Sequence, residues 1–253
     1  MKQLFVCLVF TVLWACGDQT TPADGKKRQV FHYNQPNNIT SLDPAFARSQ
    51  NNIWAVDHMY NGMVQLDVYF HDSECFPNQK GRKVVAADVV YSFQRILNEK
   101  VGSPGTWIFR GKIAEENPFE AIDDRTFVLR LSKAFRPMLG ILTMQYCCIV
   151  PREAVEFYGA EFRQNPVGTG PFRFKRWMEN QALFLLINEN YFETENGIAL
   201  PYLDAVRVSF IADRKTAFLE LIMGKLDLIS GLESSYVNEL LTADGELRNS
   251  RAS

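Results

Sequence analysis

Histidine is almost missing from this chain. Its three copies, His32, His58 and His71, stand far apart among 253 residues, so a multi-histidine metal centre has nothing to be built from. No G-x-S-x-G, H-E-x-x-H or P-loop pattern occurs, which removes common signatures of acyl transfer, zinc hydrolysis and nucleotide binding. An excess of cations is missing too. The 27 lysines and arginines stand against 29 acids, a formal net charge of −2, and nothing in that balance points to nucleic acid. Cysteine is scarce, with five copies at 7, 16, 75, 147 and 148, and no pair has C-x-x-C metal spacing. Past the first residues no apolar run is long enough to cross a bilayer.

What is present is enough to fold. With 47% hydrophobic residues the chain can bury a substantial core in one or two domains. Lys2 followed by the apolar run Leu4 to Leu13 has the proportions of a signal-peptide h-region. Leu13-Trp14-Ala15-Cys16 is similar to a bacterial lipobox, in which Cys16 would become the lipidated first residue of the mature protein. Residues 1–16 are therefore expected to be a lipoprotein signal peptide, with a plain signal peptide as the alternative, and polar residues 17–28 a flexible tether. If Cys7 and Cys16 are so used, Cys75, Cys147 and Cys148 remain. A bridge from Cys75 to one of the pair is open but unforced, and buried free thiols are the expected state.

Along the chain, strands and helices interleave. Gln29 to Tyr33 alternates as a strand, and Asn52 to Met63 carries a helical stripe of Ile53, Val56, Met59, Tyr60 and Met63. Ala87 to Leu97 is amphipathic, with Asp88 placed well for a helix N-terminus. Phe127 to Leu131 reads as a strand after the turn Asp123-Asp124-Arg125, and Pro137 and Pro151 can each open a helix. Phe172 onward, Leu183 to Ile187 and Val206 to Ile211 read as strands. Lys215 to Met223 reads as a helix with Phe218, Leu219 and Ile222 inward. The pattern predicts an α/β or mixed architecture. Asn165 to Phe174 stands out: Pro166 and Pro171 bracket Gly168-Thr169-Gly170, a rigid turn whose glycines allow positive φ or close approach of another group. Its main-chain amides are expected to be bare.

Six segments in order carry a resemblance. Leu42-Asp43-Pro44 with Met59-Tyr60-Asn61-Gly62-Met63-Val64, Val68-Tyr69-Phe70-His71-Asp72, and Val85-Ala86-Ala87-Asp88-Val89-Val90-Tyr91-Ser92-Phe93 come first. Pro166-Val167-Gly168-Thr169-Gly170-Pro171-Phe172, Pro201-Tyr202-Leu203-Asp204 and Gly224-Lys225-Leu226-Asp227-Leu228 follow. Together they resemble the bacterial extracellular solute-binding proteins of family 5, the binding components of ABC importers.

The resemblance implies a class II periplasmic-binding-protein-like α/β fold, a mixed sheet with flanking helices. Residues 29–225 would form the first lobe and 226–253 the start of a crossover to a second lobe that is largely absent. The family also carries a further segment where Asp67 here abuts Val68, and its members are longer, so a truncated product with an internal gap near 67/68 is expected. The implied function is capture of peptides for import, without catalysis, cofactor or metal, by a monomer that hands its ligand to inner-membrane permease subunits. It would stay in the cell envelope, tied to the membrane through Cys16. Alternatives are a nickel complex, haem or oligosaccharide as ligand, or a surface lipoprotein with a structural or adhesive role. For ligand contact the resemblance points to Gly168, Thr169 and Gly170 as cleft floor and to Ser49, Gln50 and Asn51 in the loop before a helix. Trp107 and Tyr146 are candidate cleft walls. His71-Asp72 with Cys75 reads as structural, and the acids Glu115, Glu116, Glu120, Asp123 and Asp124 as a solvated face.

Overall fold

The computed structural model describes residues 28–62, 67–231 and 236. The expected signal segment with Cys16, and all of the tether but its last residue, lie outside the described residues, as does Met63 at the end of the helical stripe. In chain order the elements are β1 (Val30–Asn34), α1 (Gln50–Asp57), α2 (Ala86–Leu97), β2 (Phe119–Ala121), β3 (Phe127–Leu129), α3 (Met138–Ile141) and α4 (Arg152–Tyr158). Then come β4 (Phe172–Met178), β5 (Ala182–Ile187), β6 (Thr194–Glu195), β7 (Ile198–Ala199), β8 (Ala205–Ser209), α5 (Arg214–Ile222) and β9 (Leu228–Ile229).

A five-stranded mixed sheet runs β4-β5-β8-β1-β9. β4 and β5 form an antiparallel hairpin, β5 runs antiparallel to β8, and β1 lies parallel to both β8 and β9. α5 links β8 to β9 across β1, the crossover that parallel strands require. The continuous apolar run of β5 has its reason here: the strand sits between two others, with Leu183 and Leu185 wholly buried. Val206, Val208 and Tyr33 continue that buried face onto β8 and β1.

Residues between β1 and β4 build a second layer. The Phe93 ring on α2 lies 4.9 Å from Phe109, 5.6 Å from Phe119 and 5.5 Å from Phe127, so four aromatics bind α2 to the β2–β3 hairpin. Burying each such ring stabilises by roughly 1.5–3 kcal/mol. Arg82 then ties this layer together. Its guanidinium donates to both oxygens of Asp88, at 2.8 and 2.7 Å, and to both of Glu153, at 2.6 and 2.8 Å. Asp88 also accepts from the Val85 amide at 2.9 Å, satisfying an orphan donor at the α2 N-terminus. The mixed α/β fold agrees with expectation.

Two expectations fail. The helix read over 52–63 ends at Asp57, because the next carbonyls are taken by the start of β4 and the turn before it: Phe172 donates to His58 O at 3.0 Å and Gly170 to Met59 O at 2.8 Å. Met59 and Tyr60 are buried as foreseen, but under the glycine turn rather than on a helix face. On α5 the inward residues are Ala217 and Phe218, while Leu219 and Ile222 are exposed. Only one side of that helix meets the sheet.

Candidate functional site

A groove of about 1280 Å³ flanks the N-terminal end of α1. Its first wall is the loop that follows β1. Asp43 shapes that loop by accepting from Ala45 N at 3.0 Å and, as a buried carboxylate, from both terminal nitrogens of Arg95 at 2.9 and 2.5 Å. Its own amide donates to Ser41 Oγ at 3.0 Å. Asn52, buried on α1, holds the loop from the other side: its Oδ1 accepts from Thr40 N at 3.1 Å and its Nδ2 donates to Thr40 Oγ1 at 3.0 Å. Asn51 Nδ2 donates to Asn37 O at 3.2 Å, and Asn38 Nδ2 reaches Asn180 Oδ1 at 2.9 Å. The far wall comes from the end of α2, with Arg95, Lys100 and Pro104, and from residues 155–163. Amide, hydroxyl and cationic side chains supply its hydrogen-bonding groups, and Phe46, Val101, Pro104, Val155, Ala160 and Phe162 give it apolar area between them.

The glycine turn lies at the other end of α1. An eight-residue helix separates the two places by about 12 Å. Gly168, Thr169 and Gly170 are all buried, which corrects the expectation of exposed amides. The turn's polar groups are used internally. Gly170 N donates to Met59 O at 2.8 Å, His71 N to Gly168 O at 2.8 Å, and Asn188 Nδ2 to Gly170 O at 3.0 Å. Asn61 donates from its amide to Thr169 Oγ1 at 3.3 Å and from Nδ2 to Thr169 O at 3.2 Å. His71 Nε2 donates to Gly170 O at 2.9 Å; a carbonyl only accepts, so the ring proton sits on Nε2. Burial pushes this histidine down to about 4, which keeps the ring neutral. His71 is structural, as expected.

The turn's glycines are needed for closeness and not for handedness. Neither Gly168 nor Gly170 has positive φ. A Cβ on Gly168 would overlap the Met59 carbonyl, and one on Gly170 would stand 2.5 Å from the Met59 carbonyl carbon.

The other sequence candidates scatter. Ser49 and Asn51 line the groove, Ser49 while capping α1 through Asn52 N at 3.3 Å. Gln50 is exposed beside them. Tyr146 packs against the next turn, its ring 2.8 Å from where a Gly105 Cβ would stand, and Trp107 is 46% exposed with Lys112 Nζ 5.7 Å from its ring centre. Neither aromatic lines the groove. Asn37, Asn38, Thr40, Arg48 and Lys100 do, and sequence reading passed over them. The signal for Asn37, Asn38 and Thr40 was the density of amide and hydroxyl residues before Leu42-Asp43-Pro44, and Arg48 and Lys100 had none.

Cys75 is half-buried, Cys147 and Cys148 are buried, and all three are free thiols. Burial drives Cys147 up to about 12 and Cys148 further, away from thiolate chemistry. The acids Glu115, Glu116, Asp123 and Asp124 are exposed and Glu120 pairs with Arg130, a solvated face as read. Among the described residues no cluster of histidine, cysteine or acid could hold a metal ion, and no helix is long and apolar enough to cross a membrane.

A family model described as "Bacterial extracellular solute-binding proteins, family 5 Middle" matches residues 66–253. Heme-binding protein A of Haemophilus influenzae is 29% identical over 213 residues, 75% of this chain and 36% of that protein. The periplasmic oligopeptide-binding protein OppA of Salmonella typhimurium is 30% identical over 144 residues, 51% of this chain and 26% of that one. The Helicobacter pylori periplasmic binding protein DppA, solved in complex with peptide STSA, superposes with a TM-score of 0.71 at 25% identity, over 84% of this chain and 49% of that one. NikZ of Campylobacter jejuni, in complex with Ni(L-His), superposes with a TM-score of 0.69 at 20% identity and shares the fold. The matches span a quarter to a third of the curated relatives and about half of the solved chains.

Proposed function

Because the chain belongs to the bacterial extracellular solute-binding proteins of family 5, we propose that it carries the first-lobe half of a peptide-binding site of an ABC importer. The observation that carries this reading is the superposition on a peptide-bound DppA over 84% of the chain, joined to the polar groove beside α1. Amide side chains such as Asn37, Asn38 and Asn51 at the groove suit pairing with an extended peptide backbone. Backbone pairing does not read side-chain identity, so broad tolerance for peptide sequence follows. Of the sequence candidates, Ser49 and Asn51 would touch ligand, with Gln50 at the margin. Gly168, Thr169 and Gly170 position the groove indirectly, by packing the far end of α1 against the sheet. Trp107 and Tyr146 would stand behind it as a second wall.

The rest of the role extends the same reading. A second lobe would close over the ligand, permease subunits would receive it, and lipid on Cys16 would hold a monomer in the envelope. Calorimetric titration of the full-length protein with a mixed tripeptide to pentapeptide library tests the reading. Saturable heat is expected, and no heat from any peptide would defeat it. A haem ligand is the second reading, favoured by the 29% identity to heme-binding protein A. Titration with haem, followed by a Soret shift in place of peptide heat, would select it.

A further inference from the structure

One face of the sheet is only half covered. Strand register puts His32, Arg207, Phe184 and Arg176 in one row across its outer side, and Val30, Ala205, Leu186 and Arg173 in the next. α5 takes the β1 end of that side, where His32 hydrogen-bonds the backbone at Lys225 and feels the charge of Glu220. Toward β4 the face is left as a hollow of about 560 Å³, lined by Phe184, Leu186 and the exposed Val30. Five cations also line it, Arg28, Arg173, Lys175, Arg176 and Arg207, against two acids, Glu189 and Asp204. Among the described residues none of the five forms an ion pair. Arg173 Nε donates to Ile187 O at 3.3 Å, and Arg207 lies 5.4 Å from the Phe184 ring centre. Asp204 accepts from the Gln29 amide at 2.6 Å, and Asp72, whose carboxyl feels Arg173, is paired with Lys80. The whole chain has a formal net charge of −2, so this concentration of cations is local. Cations around half-buried apolar side chains suit anionic lipid, whose phosphates meet the charge while the apolar groups enter the headgroup boundary.

We propose that this hollow seats anionic phospholipid headgroups and lays the outer face of the sheet on the membrane. The place where the chain enters argues for lipid over an acidic protein. Arg28, the first described residue, lines the hollow, and Lys26 and Lys27 precede it in the sequence. Read as a tether, the twelve residues from Cys16 to Arg28 have a root-mean-square reach of about 20 Å. A lipid on Cys16 would hold the hollow within that distance of the membrane. The groove beside α1 begins past the other end of β1, so a membrane at the start of β1 leaves it open to ligand. The proposal extends the envelope reading above and rests on it for the presence of a membrane, though not for the peptide.

Vesicle co-sedimentation of the full chain tests it, with Cys16→Ser removing the lipid so that only the protein is read. Vesicles of phosphatidylcholine alone are compared with vesicles in which about a third is phosphatidylglycerol. An apolar leader that inserts would bind both alike, so the ratio of the two partition coefficients is what counts. Each basic side chain at such a surface contributes roughly a fivefold factor, and a preference of at least about tenfold for the anionic vesicles is expected. In the further variant Lys175→Gln, Arg176→Gln, Arg207→Gln, all three exposed, the preference should shrink at least about fivefold with an unchanged melting curve. Should that variant melt lower, Arg176→Gln alone is read, and it should shrink the preference severalfold. Raising salt should shrink it as well. Equal partition into both vesicles overturns the proposal. So does a preference that the triple variant keeps, which would trace it to Lys2, Lys26 and Lys27 instead. Labelled palmitate taken up by the unaltered chain and not by Cys16→Ser reads the tether separately, and peptide heat reads the groove, so failure at the vesicles leaves both to stand or fall by themselves.

Discussion

Gly168 and Gly170 are glycine for want of room. The Met59 carbonyl lies where their β-carbons would go, and that carbonyl is already fixed by the Gly170 amide. Gly170→Ala must push residues 58–60 off the turn, and we expect it to cost about 3 kcal/mol or more in chemical denaturation. A cost under about 1 kcal/mol would show that the contact yields easily. His71, beside it, gives a pH signature. Folded, it titrates near 4; unfolded, it returns to about 6.5, so protons bind the unfolded chain first as pH falls. Its contribution to stability is complete above about pH 7 and declines through the interval from 6.5 to 4, the loss reaching on the order of 3 kcal/mol at the lower end. The check is the slope of unfolding free energy against pH, which His71→Gln should flatten over that interval whatever its absolute stability. The sequence displayed both glycines and the prolines around them. It did not display Met59, whose approach turned a supposedly bare turn into a filled one.

Among elements, the legible ones were those whose signal is local. α2 was read to within one residue at its start, because Asp88 and the stripe of Val89 and Phe93 are its own. β5 was read from its unbroken apolar run. Misreadings came where a distant partner decides. α1 stops at Asp57 because the glycine turn and the start of β4 claim the carbonyls of Met59 and His58, and the outward tilt of Leu219 and Ile222 depends on where α5 lands. The β6–β7 hairpin was missed despite an Asn196-Gly197 turn, both residues at positive φ, which is a strong hairpin signal. The joint between α2 and α4 allows a prediction. Arg82→Met leaves Asp88, whose side chain is 5% exposed, and Glu153 without their shared partner. Removing one side of a buried pair costs about 3 kcal/mol, and a thermal melt should show it. Replacing Glu153 by Gln should cost less, because Glu153 is 37% exposed and water can take over.

At the scale of the molecule, the alternation of strands and helices and the six ordered motifs were enough to foresee a mixed α/β fold of this family. The groove was not foreseeable from either. It is assembled by the loop after β1, the end of α2 and residues after α4, three stretches that periodicity reads separately and only the tertiary fold joins. The sheet shows the same dependence. β1 has β8 on one side and β9 on the other, so a chain ending before Ala205 would lose both its ladders and strip β5 of one. Such a shortened chain should show no cooperative melting transition, whereas the chain through β9 should show one. A sharp transition in the shorter form would mean that the layer around α2 folds by itself.

That strand arrangement also sets a timetable. The backbone of Gln29 and His32 is anchored to residues 175 and 195 positions further along the chain. Made or threaded from its N-terminus, the polypeptide presents β1 first and the two strands that flank it last. Loop closure over such spans is slow compared with local pairing. Throughout that interval β1 is an apolar ribbon with two open edges, open to strand-adding or apolar-binding partners that could keep the chain unfolded until β8 and β9 arrive.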